Sequence, residues 1–203
     1  ERGWSFIKRA GTIILLSTII LWFLSNFGFA DGGFGWVEDS DASLLAAVGS
    51  VIAMLFIPLG FGNWQAAVAT ITGLIAKEEV VSTMQVFYPG DLIANIAMAF
   101  TAASAYSFMV FNLLCAPCFA AMGAIKREMN NVKWTLGAIG YMCGFAYVVS
   151  LIVFQLGGLV TGEAAFGIGT VTALILLAGI LYLLFRKGYQ GEENTRRLTS
   201  VAA

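Results

Sequence analysis

Residues 62–84 read GNWQAAVATITGLIAKEEVVSTM, and this stretch decides the fold because it places three charges inside an apolar segment. The charges are Lys77, Glu78 and Glu79, and they lie near the middle of a predicted span over residues 64–88. A charged side chain at the centre of a bilayer costs about 2.5–3.5 kcal/mol on insertion scales. Because successive helical residues point about 100° apart, three adjacent charges cannot share one buried face. The pattern therefore predicts a helix that is broken at these charges, or that lines a water-filled cavity, or both.

The composition of the whole chain points to lipid as its surroundings. Of 203 residues, 59% are hydrophobic and only 11% are charged, whereas a soluble domain has about 25% charged residues. The apolar residues fall in long blocks, as expected when lipid is the solvent. We therefore predict an all-α, polytopic integral membrane protein with about six transmembrane helices, at residues 10–29, 44–59, 64–88, 100–125, 134–156 and 166–185.

Helix length and proline predict where the fourth span bends. At ~1.5 Å per residue, one helix over residues 91–126 would be roughly 50 Å long, against a hydrocarbon core of about 30 Å. We therefore expect residues 91–99 to form a separate short helix at the membrane interface. Pro117 lacks an N–H group and clashes with the preceding helical turn, so it predicts a further break.

The distribution of charge predicts the orientation. Basic residues precede the first span, separate the fourth from the fifth and follow the sixth, whereas the other loops carry only acidic residues. Because Lys and Arg favour the cytoplasmic side, six crossings place both termini in the cytoplasm. A re-entrant hairpin in place of the third span would change this parity. We expect residues 1–187 to form the membrane domain and residues 188–203 a polar cytoplasmic tail.

The charged triplet is the first candidate site. On a helix Glu78 shares a face with Ser82, while Glu79 shares one with Thr72 and Thr83. Each face offers an oxygen-rich patch that suits a hydrated cation. A structural ion pair between helices is the alternative, although ionisable residues within a membrane usually serve a transport path.

The second candidate site surrounds a proline. Cys115 and Cys118 are three residues apart, so a continuous helix would place them on one face, with Met122 one turn further on. Thiolate and thioether sulfur suit Fe(II), Cu(I) or Zn. Pro117 would free a nearby backbone carbonyl as an additional ligand. A redox pair and simple packing of two small apolar residues are the alternatives.

Several functional classes are excluded by what the sequence lacks. It contains no histidine, and therefore no Ser-His-Asp triad, Cys-His pair or imidazole metal ligand. It contains no GxxxxGK[ST] phosphate loop, so we expect no nucleotide hydrolysis by this chain and no enzyme activity. The net charge of −1 and the absence of a basic stripe argue against nucleic acid as a partner. No bound organic cofactor is expected.

Long stretches of the chain resemble the ferrous iron transport protein B (FeoB) family. The run GNWQAAVATITGLIAKEEVVSTM resembles that family's segment with NWQA followed by an AKE-x-VV-x-T core. The run FMVFNLLCAPCFAAMGAIKRE, residues 108–128, resembles its later membrane segment, and ERGWSFIKRAGTIIL, residues 1–15, resembles the lead-in to this half. The resemblance extends to about residue 156, and two long motifs in the right order and spacing are more specific than either charge cluster.

The resemblance implies transport of Fe²⁺ across the cytoplasmic membrane of a bacterium. It maps the family's Lys-Glu pair to Lys77 and Glu78, its threonine to Thr83 and its Pro-Cys pair to Pro117 and Cys118. In this interpretation the cysteine is a soft path ligand, the glutamate neutralises the dehydrating cation and the lysine tunes the site or gates it by pairing with a carboxylate.

This sequence departs from the family at two positions. Glu79 stands where the family usually has an apolar or amide residue, and Cys115 stands where an aromatic residue is common. Either change could alter the ion preference.

The expected function is that of the C-terminal membrane portion of a ferrous iron transporter. The lipid bilayer, the family's N-terminal GTP-binding domain and its first gate region are the expected partners, and a homo-oligomer is left open. Two alternatives remain: a membrane binding or assembly subunit that does not conduct alone, and a gate-type carrier of an organic solute such as a nucleoside.

Overall fold

The computed structural model describes residues 2–30, 33–37, 43–88, 90–163 and 166–186. These residues form nine α-helices, one antiparallel hairpin and one 3₁₀ turn. The helices are α1 (Arg2–Asn26), α2 (Leu44–Phe56), α3 (Trp64–Ile75), α4 (Glu79–Phe87), α5 (Leu92–Ala99), α6 (Ala102–Leu114), α7 (Phe119–Met129), α8 (Val132–Thr161) and α9 (Ile168–Phe185). The hairpin pairs β1 (Phe27–Ala30) with β2 (Gly33–Trp36), and the 3₁₀ turn (Ile57–Leu59) follows α2.

The predicted class, an all-α polytopic membrane protein, is confirmed. Within the described residues, three helical segments are long and apolar enough to cross a membrane: Ala102–Met129, Val132–Thr161 and Ile168–Phe185. Leu44–Leu59 and Trp64–Ile75 pass the same test as a pair bent by 98°, and the count is four when this pair is taken as one span. This count is smaller than the predicted six because the bent pair combines the predicted second and third spans, and because α1 is not among the counted segments. The predicted first span lies in α1, whose 25 residues give a length of about 37 Å.

Both predicted breaks are confirmed. The third span divides into α3 and α4 at residues 76–78, and neither half is long enough to cross a bilayer alone. The fourth span divides at residues 115–118, around Pro117. The expected short helix is α5, which Asp91 caps by accepting hydrogen bonds from the backbone of Ile93 and Ala94.

The chain departs from the predictions at its first span. The first helix ends at Asn26, and the chain then turns into the β1–β2 hairpin, which the apolar run did not reveal. A 98° bend between α2 and α3 fits either a broken span or a re-entrant loop. The orientation assumed six crossings and stays a prediction, as does the polar tail, which lies outside the described residues.

The bend after α2 is held by side chains from the two most closely packed helices, α6 and α8. Tyr147 and Gln155 of α8 donate hydrogen bonds to the carbonyl oxygens of Leu55 (2.9 Å) and Pro58 (3.2 Å). Ser107 of α6 donates one to the carbonyl of Leu59 (2.8 Å). Since lipid offers no donors, these side chains supply hydrogen bonds that a straight helix would have provided itself.

An aromatic cluster forms the core beside this bend. Phe56 and Phe61 stack with ring centroids 5.1 Å apart, and Phe108 and Phe111 of α6 approach them at 5.3 and 5.2 Å. Apolar side chains on the outer helices stay exposed, as in Ile168, where 89% of the residue is accessible. This distribution fits a small packed interior surrounded by lipid.

Gly60 provides the first prediction, because it ends the bend with φ of 86° and a Cβ at this position would overlap the ring of Phe154. We expect Gly60→Ala to lower the free energy of unfolding by about 1–3 kcal/mol through backbone strain and overpacking. Gly179→Ala in α9 is the matched control, since a Cβ at that position would meet nothing within 4 Å. Equal stability of the two variants in detergent unfolding curves would contradict the prediction.

A second prediction concerns the contact between α6 and α8. Ser107 and Ser150 are fully buried, and their hydroxyl oxygens lie 2.7 Å apart. A double-mutant cycle with alanine at both positions should give a coupling free energy of about 0.6–1.7 kcal/mol. Additive single-variant effects would show that the contact contributes nothing beyond packing.

Candidate functional site

The two helix breaks lie against each other. The last helical hydrogen bond of α3 runs from the Ala76 N–H to the Thr72 carbonyl, and Ala76 is extended. In α6 the last one runs from the Cys115 N–H to the Phe111 carbonyl. The helix stops there because Pro117 has no N–H and disfavours helical geometry in the residue before it. Each break therefore leaves backbone carbonyl groups without their helical donors.

Lys77 joins the two breaks. Its ammonium group donates hydrogen bonds to the Asn112 carbonyl oxygen (2.5 Å) and to the Cys115 sulfur (3.1 Å). The carbonyl is available because α6 ends before residue 116 could donate to it. The sequence predicts pairing of Lys77 with a carboxylate, and the structure instead gives it a carbonyl oxygen and a sulfur atom. The lysine thus satisfies a backbone group that the break has exposed.

The two glutamates lie on different sides of the start of α4. Glu78 is exposed and stands at the N-cap position without capping the helix through its side chain. Glu79 is half-buried in the first turn, where the positive end of the helix dipole favours a carboxylate. They are therefore separate groups rather than a paired cluster.

Glu79 faces a cleft of about 380 Å³ between α1, α2, α3 and α4. Oxygen-bearing side chains from three of these helices line it, together with apolar groups such as Trp22 and Phe87. The hydroxyl oxygens of Thr72 and Thr83 lie 3.0 Å apart across the α3–α4 junction. Ser82 lines the same cleft as Glu79, and its hydroxyl also donates a hydrogen bond to the carbonyl oxygen of Glu78 (3.4 Å), the residue that helical spacing predicts as its neighbour.

The cysteines do not share a helical face. Cys115 is buried at the end of α6, and Cys118 is half-buried at the start of α7, with Met122 one turn on. The prediction of one shared face is wrong because it assumed a continuous helix, and Pro117 ends the helix between the two residues. All three cysteines of the chain, including Cys143, are free thiols.

A metal site made only of side chains is not assembled here. Within the described part of the chain, no group of three or more Cys, Asp or Glu side chains converges. A cation at the breaks would therefore be bound by one or two side chains combined with backbone carbonyl or hydroxyl oxygens.

Asn112 is a site residue that the sequence analysis missed. It is buried, and its side-chain nitrogen donates to the Phe108 carbonyl (2.9 Å). No donor among the described residues bonds its side-chain oxygen. The signal in the sequence was an amide inside the apolar run FMVFNLL, one turn before the break at Pro117.

Comparisons with known proteins agree with this architecture. The family model Gate, described as nucleoside recognition, matches residues 7–132, which is more than half of the chain. The Fe(2+) transporter FeoB of Staphylococcus aureus strain COL is 40% identical over 162 residues, covering 78% of this chain and 24% of the relative. The Fe(2+) transporter FeoB of Methanocaldococcus jannaschii is 38% identical over 167 residues, covering 78% and 25%.

A more distant relative, the Fe(2+) transporter FeoB of Campylobacter jejuni, is 35% identical over 160 residues, covering 72% of this chain and 26% of its own length. No solved structure matches the chain. The chain spans about a quarter of the length of these curated relatives. It belongs to the Gate family, and within that family to the C-terminal membrane region of the FeoB type.

Proposed function

We propose that this chain is the C-terminal membrane portion of a ferrous iron transporter, with Fe²⁺ as the transported ion. The observation that carries the proposal is the meeting of two broken helices, at residues 76–78 and 115–118, joined by Lys77. Broken helices expose backbone carbonyl groups, and membrane transporters bind ions at such breaks. The names of the relatives, Fe(2+) transporter FeoB, support the choice of ion.

The sulfur-bearing residues give the path its preference for soft or borderline metals. Cys118 is half-buried at the start of α7, so its sulfur can bind an ion that moves along the path. Met122 lies on the following turn. Cys115 adds a second sulfur at the end of α6. Pro117 keeps the two helices apart, so that these groups and the freed carbonyls remain accessible to an ion.

The oxygen-bearing residues handle the charge and hydration of the ion. Glu78 and Glu79 neutralise a cation as it loses water, and Ser82 and Thr83 replace part of its hydration shell. Glu79 is well placed for this role because it faces the cleft that the two hydroxyl residues also line. Lys77 opposes cation entry electrostatically and acts as the gate of the site.

The surroundings of the chain follow from the same proposal. The chain spans about a quarter of its curated relatives, so we propose that transport needs the family's GTP-binding and first gate regions. The chain itself acts as a permease rather than an enzyme. It is a multi-pass protein of the bacterial cytoplasmic membrane, with both termini in the cytoplasm, and a homo-oligomer is compatible with this arrangement.

A second candidate function is the binding of an organic solute such as a nucleoside. The description of the matching family as nucleoside recognition favours it. The cleft beside Glu79, at about 380 Å³, lies at the lower end of the range of ~300–1,000 Å³ that ligand pockets occupy. Its mixture of hydroxyl groups and aromatic rings would suit a sugar and a base.

Iron binding tests the first candidate. We expect the detergent-solubilised chain to bind Fe(II) saturably under anaerobic conditions, with Cys118→Ser and Glu78→Gln each weakening Kd by about 10-fold, or ~1.4 kcal/mol. Cys143→Ser is the matched control, because it removes a thiol far along the chain from both breaks. Mn(II) and Zn(II) serve as competitors that report the metal preference.

The alternatives predict different results. Absence of Fe(II) binding by the folded wild-type chain, or equal binding by all variants, would refute the metal path proposed here. Saturable binding of uridine or adenosine, reduced by Thr83→Val, would support the organic-solute carrier instead. Fe(II) binding without uptake into proteoliposomes, with uptake restored by the co-expressed remainder of the transporter, would identify a subunit that does not conduct alone.

A further inference from the structure

Three atoms at the meeting of the two breaks form a compact triangle. The Lys77 nitrogen lies 2.5 Å from the Asn112 carbonyl oxygen and 3.1 Å from the Cys115 sulfur. The sulfur itself lies 3.5 Å from the same carbonyl oxygen. The ammonium group is a cation on a flexible stem, held here by one oxygen and one sulfur.

The two acceptors have the separation that a divalent metal requires. Typical metal–sulfur and metal–oxygen distances are about 2.3 and 2.1 Å. With these distances, an oxygen and a sulfur 3.5 Å apart would subtend about 105° at the metal, close to the tetrahedral angle. The site could therefore hold a metal ion with little movement of Asn112 and Cys115.

Asn112 offers a further ligand that nothing uses in this conformation. The residue is only 8% exposed, and no described donor bonds its side-chain oxygen. Its side-chain nitrogen bonds the preceding turn of α6, so the oxygen is directed toward α3. There, a Cβ built on Gly73 would lie 3.4 Å from it. A buried acceptor without a donor is costly unless a ligand or water occupies it in another state.

We propose that the Asn112 backbone oxygen and the Cys115 sulfur form a binding site for a borderline divalent metal ion, with the Asn112 side-chain oxygen rotating in as a third ligand. The Lys77 ammonium group occupies this site as a tethered competitor and does not contact the side-chain oxygen. This inference rests on the proposed function, since it assigns a further binding site on the same metal path. A metal can enter only when the ammonium group leaves, and Lys77 can leave because it lies in the non-helical break and is half-buried.

The competition has a measurable consequence. When a binding-competent state is only a fraction of the population, the apparent dissociation constant rises by the inverse of that fraction. Removing the ammonium group should therefore tighten metal binding. Removing any positive charge near a binding path would also tighten binding, but only weakly, because it relieves simple repulsion. The gain must also depend on Asn112 and Cys115, and this dependence separates a local competitor from a general electrostatic effect.

The test is an anaerobic titration of the detergent-solubilised full chain with Co(II), read by thiolate-to-cobalt charge-transfer absorption. We expect Lys77→Met to lower Kd at least about 10-fold, by the population argument above. Lys77→Arg keeps the cation and should stay within about twofold of wild type. Lys133→Met, which removes an equal charge at the exposed start of α8, is the matched control and should not change Kd.

Second-site variants and folding checks complete the design. In the Lys77→Met background, adding Cys115→Ala should remove the charge-transfer absorption that Lys77→Met gains over wild type, and adding Asn112→Leu should reverse most of the gain in affinity. Each variant is accepted only with wild-type helical content and monodisperse elution. If Asn112→Leu or Cys115→Ala fails this check, the smaller changes Asn112→Ala and Cys115→Ser take its place, so that the dependence on these two positions can still be measured.

The outcomes separate this inference from the proposed function. Unchanged or weaker Co(II) binding in Lys77→Met overturns the tethered-competitor site, and the iron path stands if Cys118→Ser and Glu78→Gln still weaken Fe(II) binding. Tighter binding in Lys77→Met with no effect of those two variants supports the site and refutes the path assigned to Cys118 and Glu78. Absence of metal binding in every folded variant overturns both.

Discussion

The rest of the structure depends on the requirement that backbone polar groups surrounded by lipid find partners within the protein. A straight helix meets this requirement alone, whereas a bend or break does not. Side chains of Ser107, Tyr147 and Gln155 donate to the carbonyl groups at the bend after α2. Lys77 does the same for the Asn112 carbonyl at the end of α6. The packing of α6 and α8 against the bend after α2, and of α6 against α3, is arranged around these donors.

The two kinds of donor have different consequences. Neutral side chains such as Ser107 are fully buried, and the hydrogen bonds they make fix the bend as a permanent feature. A charged donor such as Lys77 is half-buried and can be hydrated when it leaves. The bend after α2 is therefore a rigid element. At the paired breaks, by contrast, a backbone carbonyl group can exchange its hydrogen-bond donor for another group.

Features that depend on residues close together in the chain could be predicted from the sequence. Pro117, the length of residues 91–126 and the adjacent charges at 77–79 each force an interruption, and the structure has one at all three places. The contact of Lys77 with Asn112 and Cys115 could not be predicted, because it joins residues 35 and 38 positions apart. The prediction of one face for Cys115 and Cys118 applied helical periodicity across a break that Pro117 itself predicts. The β1–β2 hairpin was hidden because its residues continue an apolar run.

The nature of the atom that Lys77 contacts has an evolutionary consequence. Every amino acid has a carbonyl oxygen, so position 112 can change without losing that hydrogen bond, whereas the sulfur contact is made only when position 115 is cysteine. The lysine at position 77 can consequently be retained whichever residue stands at position 112 or 115. A lineage that replaces Cys115 with a bulkier residue would keep the lysine bound to the Asn112 carbonyl. It would lose the sulfur atom and reduce the volume beside the ammonium group.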